Sequence, residues 1–223
     1  MYSAQINFSI PDKALDLLKS VSDLWHATKN VENKNKYRSD YAEIGHMLLN
    51  GFVEGNPYCD RKTFDEIEQK YRTLQDQAIV NSQEVPEHLV KIIKKMLPEA
   101  LQAKNPEFIL QIVTGGTHIQ PHWDHNRRAS SMFCLIEADG AETIWYEPKG
   151  EYTIPEKFRV VFDAELEQFN EVHRMRFEER KWYVFDHSTC HGAYRHYPEK
   201  HRTALVIEFV DLTAEQLYNS FVL

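Results

Sequence analysis

Apolar residues recur at helical spacing along the first hundred positions and then give way to shorter, β-rich runs. Leu15, Leu18, Val21, Leu24 and Trp25 fall on one face of a helix opening near Pro11, a residue suited to a first helical turn. Thr63 and Glu66 stand at capping-box spacing, and Phe64, Ile67, Tyr71 and Leu74 follow in steps of three and four, which predicts a second helix. A third covers 87–97 and stops at Pro98, which cannot continue the helical hydrogen bonding. These stripes read as packing surfaces, a helical layer and not a site.

Beyond Asn105 the pattern changes to strands separated by turns. Residues 108–113 form one run, closed by the turn Gly115-Gly116. Runs 131–137 and 142–146 flank Ala138-Asp139-Gly140-Ala141, which predicts a hairpin with an Asp-Gly turn. Runs 171–177 and 181–185 flank a second turn at 178–180. The run 203–210 is the most strand-like of all, and a short last helix starts at Thr213. So many antiparallel strands with apolar residues on both faces predict an α+β, mainly β fold. Its expected form is a double-stranded β-helix (a jelly-roll, cupin-like barrel) buttressed by N-terminal helices. No repeat, low-complexity tract or Gly/Ser linker divides the chain. Residues 1–223 therefore read as a single domain: a mainly helical buttress (1–104), a jelly-roll core (105–211) and a C-terminal helix (212–223).

Composition narrows the setting. The chain has 223 residues, 42% hydrophobic and 27% charged, ordinary for a soluble globular protein. No apolar run approaches the roughly 20 residues of a membrane span. The first residues lack the basic start and apolar core of a secretion signal. Cys59, Cys134 and Cys190 are odd in number and lack CxxC spacing, against both a disulfide framework and a zinc ribbon. A reducing, cytoplasmic location with no membrane partner is expected. The net charge of −8 repels a phosphate backbone, and the densest basic stretch, 191–202, is short and carries Glu199. Nucleic acid is not favoured as a partner.

Three segments carry chemistry. In HIQPHWDH (118–125), residues two apart on an extended chain project to one side, so His122 and Asp124 present an imidazole and a carboxylate together while Trp123 turns away. In WYVFDHSTCHGAY (182–194), a strand ends near Asp186 and a polar turn brings His187 and His191 toward the barrel mouth. In HRTALVIEF (201–209), Arg202 stands ahead of an apolar strand, where an inward guanidinium needs an anionic partner. Its planar fork suits a carboxylate, and a dicarboxylate co-substrate would supply one. Two histidines and one carboxylate occupy three of iron's six positions and leave three open, whereas structural zinc would fill its four.

An HxD pair, a distal His and an Arg opening a strand resemble the pattern of the iron(II)/2-oxoglutarate-dependent dioxygenases. More narrowly, DHSTCH (186–191) resembles the D-x-S-x-x-H segment of the aspartyl/asparaginyl β-hydroxylase and amino-acid hydroxylase branch. The resemblance covers about residues 108–210. It implies that His122, Asp124 and His191 bind Fe(II) and form the catalytic centre, and that Arg202 holds the distal carboxylate of 2-oxoglutarate. It further implies hydroxylation of an unactivated C–H bond in a small-molecule or peptide substrate, with dioxygen as oxidant. Arg128 and Ser130 are candidates for positioning the co-substrate, with Arg127 nearly as plausible as Arg128. The chain departs from the pattern in two ways: His191 and Arg202 are eleven apart where about ten is usual, and Ala204 stands where many members carry a hydroxyl. A one-residue insertion or bulge is then required, and another hydroxyl, Thr203 or a tyrosine, must assist.

His187 competes with His191 as third ligand, and spacing from Asp186 and Arg202 favours His191. His125 alternates away from Asp124, and His173, His196 and His201 read as strand or loop residues. Trp123, Trp145, Tyr146 and Trp182 are candidates for pocket walls. Three other readings stay open: a non-oxidative, cupin-like metal-binding protein with Arg202 in an ordinary ion pair; a nucleic-acid dealkylase, which would need a basic groove; and a structural barrel whose ligand pattern is coincidental.

Overall fold

The structure is a computed structural model that describes residues 1–28, 52, 54–55, 60–73, 78–124, 130–153, 159–161, 163–197 and 199–222. In chain order these form β1 (Ser3–Ile6), α1 (Asp12–Thr28), α2 (Arg61–Thr73), β2 (Ala78–Glu84), α3 (Glu87–Met96), α4 (Glu99–Gln102) and β3 (Glu107–Gly115). There follow β4 (His118–Trp123), β5 (Ser130–Glu137), β6 (Glu142–Pro148), β7 (Arg159–Val160), α5 (Asp163–Leu166) and β8 (Phe169–Arg176). The last elements are β9 (Trp182–Asp186), β10 (Cys190–Tyr194), β11 (Arg202–Phe209) and α6 (Ala214–Asn219). The strands build two antiparallel sheets, one of six strands in the order β1-β9-β5-β11-β3-β2 and one of five in the order β7-β4-β10-β6-β8. The fold is mainly β with few helices.

Alternation along β11 shows how the layers meet. Leu205, Ile207 and Phe209 pack with Leu15 and Leu18 of α1, Leu89 and Ile93 of α3 and Leu217 of α6. Ala204 and Val206, on the opposite face, pack with Phe133 and Leu135 of β5, Trp145 of β6 and Phe185 of β9. The larger sheet is thus buried on both sides, by helices outside and by the smaller sheet within, which is why its strands read as near-continuous apolar runs. Burial of each large side chain contributes about 1.5–3 kcal/mol.

Several expectations need correction. The strands flanking Asp139-Gly140 are not a hairpin: β5 pairs with β9 and β11, whereas β6 pairs with β8 and β10 in the other sheet. The connection at 178–180 likewise leads from β8 in the smaller sheet to β9 in the larger. The first 104 residues are not only a helical buttress, because β1 and β2 form the two edges of the six-stranded sheet. Helix α2 is capped by Asp60, whose Oδ1 accepts from the Thr63 backbone N–H at 2.8 Å, so Thr63 lies inside the helix. Leu24 is 64% exposed and Trp25 only partly buried, so α1 buries a narrower stripe than its spacing predicts. The last helix is as expected, with Thr213 and Gln216 forming its capping box. Leu74 and Cys59 lie outside the described residues.

Candidate metal centre

His122 on β4 and His191 on β10 face each other directly as cross-strand partners, their ring centroids 4.6 Å apart. Asp124 follows the end of β4, one residue beyond Trp123, which turns the other way to pack on Tyr152 and Phe169. His122 Nε2 lies 3.6 Å from Asp124 Oδ1, and His191 Nε2 lies 3.5 Å from Asp124 Oδ2. One ligand atom from each of His122, Asp124 and His191 falls within 4.8 Å of the others, and this is the metal-sized cluster found among the described residues.

The imidazoles are prepared in the same way. His122 Nδ1 donates to the Gln120 carbonyl at 2.8 Å, and His191 Nδ1 to the Thr189 carbonyl at 2.9 Å. A carbonyl only accepts, so both rings carry hydrogen on Nδ1 and turn Nε2, with its lone pair, toward Asp124. Burial pushes both pKa values down, that of His191 to about 4 with help from the neighbouring His122. Both rings are therefore neutral at pH 7. Burial opposes ionisation of Asp124, but the His187 hydrogen bond and the surrounding imidazoles outweigh it and hold the carboxyl well below its usual range. Two neutral imidazole nitrogens and one carboxylate suit a divalent transition metal.

His187 stands outside this three-residue cluster. Its Nδ1 bonds Asp124 Oδ2 at 2.6 Å and its Nε2 bonds Ser131 Oγ at 2.9 Å, so neither ring nitrogen points at an open position. The turn carrying it is fixed by Asp186, whose carboxylate accepts from the Ser188 N–H and hydroxyl and from the Thr189 hydroxyl. The segment 186–191 therefore works as a unit. Asp186 shapes the turn, His187 reaches Asp124, and Thr189 orients His191.

Arg202 opens β11 on the inter-sheet side, where alternation places it with Ala204 and Val206. Its guanidinium lies 5.5 Å from the centre of the Phe133 ring. Phe133 contacts Phe185 (6.1 Å), which in turn meets His191 edge-on at 4.9 Å, so arginine and histidines border one interior. Arg202 is 4% exposed, and its Nε and Nη1 have no hydrogen-bond partner among the described residues. Burial pushes its pKa down, with Arg195 adding to the effect and Asp139 opposing it. A buried guanidinium in this state is costly unless an anion joins it. Nearby Arg195 is satisfied, bonding Asp139 and the carbonyls of Gly115, Gly116 and Lys200.

Other assignments shift. Ser130 stands opposite Phe209 and so on the helix-facing side, while its neighbour Ser131 faces the interior and reaches His187. Thr203 also faces the helices, with its hydroxyl 2.7 Å from that of Ser22 on α1, so it cannot assist Arg202. Pairing of β11 with β5 slips by one residue between Thr203 and Ala204, and the extra residue, Ile136, lies on β5 and not between His191 and Arg202. Arg127, Arg128 and His125 lie outside the described residues. Trp145 faces the interior 6.5 Å from His191, whereas Trp182 packs against Phe8 in the helix-facing core. His173 bonds Ser3 and stacks on Tyr2, His196 sits 3.6 Å from Glu142, and His201 stacks on His26. The contacts of His187 with Asp124 and Ser131 had no local signal in the sequence.

The chain matches no protein-family model and no curated protein. Among solved structures it is similar to AviO1 from Streptomyces viridochromogenes Tue57, with 12% identity, 94% of this chain and 90% of that chain covered, and a TM-score of 0.46. It is also similar to the non-heme alpha ketoglutarate dependent epimerase SnoN from nogalamycin biosynthesis, with 8% identity, coverage of 94% and 78%, and a TM-score of 0.42. For the vicilin from Solanum melongena the values are 9%, 61% and 30%, and 0.35. The chain thus spans under a third of that vicilin, and 26% of procruciferin from Brassica napus. No helix among the described residues is long and apolar enough to cross a membrane.

Proposed function

We propose that the chain is an iron(II)- and 2-oxoglutarate-dependent dioxygenase that hydroxylates an unactivated C–H bond of an amino acid or a peptidyl side chain, on a jelly-roll barrel. One observation carries this reading: a converging His122, Asp124 and His191 cluster shares its interior with a buried arginine, two of whose nitrogens have no partner among the described residues. An anionic co-substrate would give that guanidinium the partner that the described residues do not supply.

The residues fit the group. His122, Asp124 and His191 would hold iron(II) and leave three of six positions open. Arg202 would pair with the distal carboxylate of 2-oxoglutarate, and the aromatic wall of Phe133, Phe185 and Trp145 would keep bulk water away. When bound, iron(II) with 2-oxoglutarate and dioxygen supplies the oxidation that converts a substrate C–H to C–OH, releasing succinate and carbon dioxide.

The test is anaerobic addition of iron(II) and then 2-oxoglutarate. A visible metal-to-ligand charge-transfer band is expected, lost in His122→Ala and much weakened in Arg202→Met. No band in the wild type, with iron affinity unchanged in His122→Ala, sinks the reading. Succinate release then ranks candidate free amino acids against peptides.

A further inference from the structure

We infer that His187 is a positioning residue that holds Asp124 as a one-oxygen metal ligand, an inference that rests on the metal reading above. The geometry is specific. Asp124 belongs to the end of β4 in the smaller sheet, Ser131 to β5 in the larger, and His187 follows β9 and spans the gap with both ring nitrogens. Its Nδ1 lies 2.6 Å from Asp124 Oδ2, the distance of a charge-assisted bond, and a carboxylate can only accept, so Nδ1 donates. Ser131 Oγ, 2.9 Å from Nε2, fixes the ring's rotation. Phe185 lies against the ring at 5.1 Å and limits its tilt.

The consequence concerns the count of open positions. A carboxylate free to chelate uses two of a metal's six positions and, with two imidazoles, leaves two. That is one too few for a bidentate 2-oxo acid and dioxygen together. With Oδ2 engaged by His187, Asp124 would offer Oδ1, which lies 3.6 Å from His122 Nε2, and three positions would stay open. Chelation through both oxygens would weaken or break the 2.6 Å bond.

The test uses Co(II) alone as probe on the full chain, with thermal unfolding measured for every variant. His187→Leu removes the donor, and His187→Asn returns an amide N–H near the Nδ1 position. Co(II) affinity is expected to fall about 10- to 100-fold in His187→Leu, the usual cost of losing a partner that orients a ligand, and to recover most of that in His187→Asn. The visible Co(II) spectrum should change in the leucine variant and return in the asparagine variant. Paramagnetic proton spectra of the wild type should show two shifted imidazole N–H signals, from His122 and His191. A third such signal makes His187 a ligand and overturns the inference. So does wild-type affinity and spectrum in His187→Leu, or a loss that His187→Asn leaves unrepaired. Failure of the metal reading looks different: the wild type itself takes up no Co(II), or His122→Ala binds it equally well.

Discussion

Gly192 on β10 lies so close to Pro121 on β4 that a methyl group on its Cα would stand 2.8 Å from the Pro121 nitrogen, and 2.7 Å from the Ile119 carbonyl oxygen. The approach has a cause in the register. His191 pairs with His122 and Ala193 with Ile119, so two steps along β10 answer three along β4. Such a bulge lets Ile119 and His122 face the same interior although they are three residues apart. Proline at the bulge gives up no ladder hydrogen bond that a regular strand would need.

Gly192→Ala therefore presses a methyl group into backbone, which cannot swing aside as a side chain can. A stability loss of about 1–3 kcal/mol is expected from overpacking, read from urea denaturation. Co(II) affinity should fall with it, because the strain is relieved by separating His122 from His191. An alanine variant with wild-type affinity would mean that the bulge does not set the ligand geometry.

The closeness of His122 and Asp124 was legible because it depends on local geometry: a period of two on an extended chain brings the two side chains together however the strand is paired. The family resemblance singled out His191 and Arg202, and the structure brings His191 to that pair and buries Arg202. What stayed hidden depends on residues far away in sequence. Asp139-Gly140 has the chemistry of a hairpin turn, yet Asp139 is buried against Arg195, 56 residues on, and the chain leaves one sheet for the other. His187 finds its partners 63 and 56 residues away, so its local motif cannot tell a ligand from a ligand's support. Ser130 and Ser131 differ only in which face the strand's register gives them.

Arg202→Met should separate function from stability. The native guanidinium is buried with Nε and Nη1 unpaired among the described residues. Replacing a poorly compensated buried charge with an apolar side chain of similar volume is often neutral or stabilising, by about 1–4 kcal/mol. The variant should unfold at the wild-type temperature or above it while 2-oxoglutarate affinity falls roughly 100-fold, the scale of a lost buried charge pair. Calorimetric titration and thermal unfolding measure the two quantities. A clearly less stable variant would mean that Arg202 is structurally satisfied without a ligand.

Arg195 should behave in the opposite way. It is fully buried with Asp139 and also donates to three backbone carbonyls, including that of Lys200, two residues before Arg202. Arg195→Met leaves the buried Asp139 carboxylate without its cation and with the Ala141 N–H as its remaining bond, and a loss of about 3–5 kcal/mol is expected. The double variant Arg195→Met/Asp139→Leu should recover part of it, since removing both charges removes the uncompensated one. Urea denaturation of the two single variants and the double gives the coupling. Additive losses would show that the ion pair itself contributes little.

Acid should destabilise the metal-free protein in a window set by its buried imidazoles. Burial, with the nearby His122, puts the His191 pKa at about 4, and burial also lowers that of His122. An unfolded histidine titrates near about 6.5, so between these values the unfolded chain binds more protons and stability falls as pH falls. Below about 4 the His191 contribution is gone; at most it amounts to about 3 kcal/mol. His187 runs the other way. Burial lowers its pKa, but the bond to Asp124 raises it further, so its contribution is full at low pH and is lost as pH rises through the raised value. Asp124, held below its usual range, keeps its contribution until pH falls below about 4. Urea midpoints of the chelator-treated protein at pH 7, 6, 5 and 4.5 should therefore fall, and the fall should be shallower in His191→Gln, which has no proton to gain. An identical slope in that variant would show that His191 is not the buried neutral base that this geometry requires.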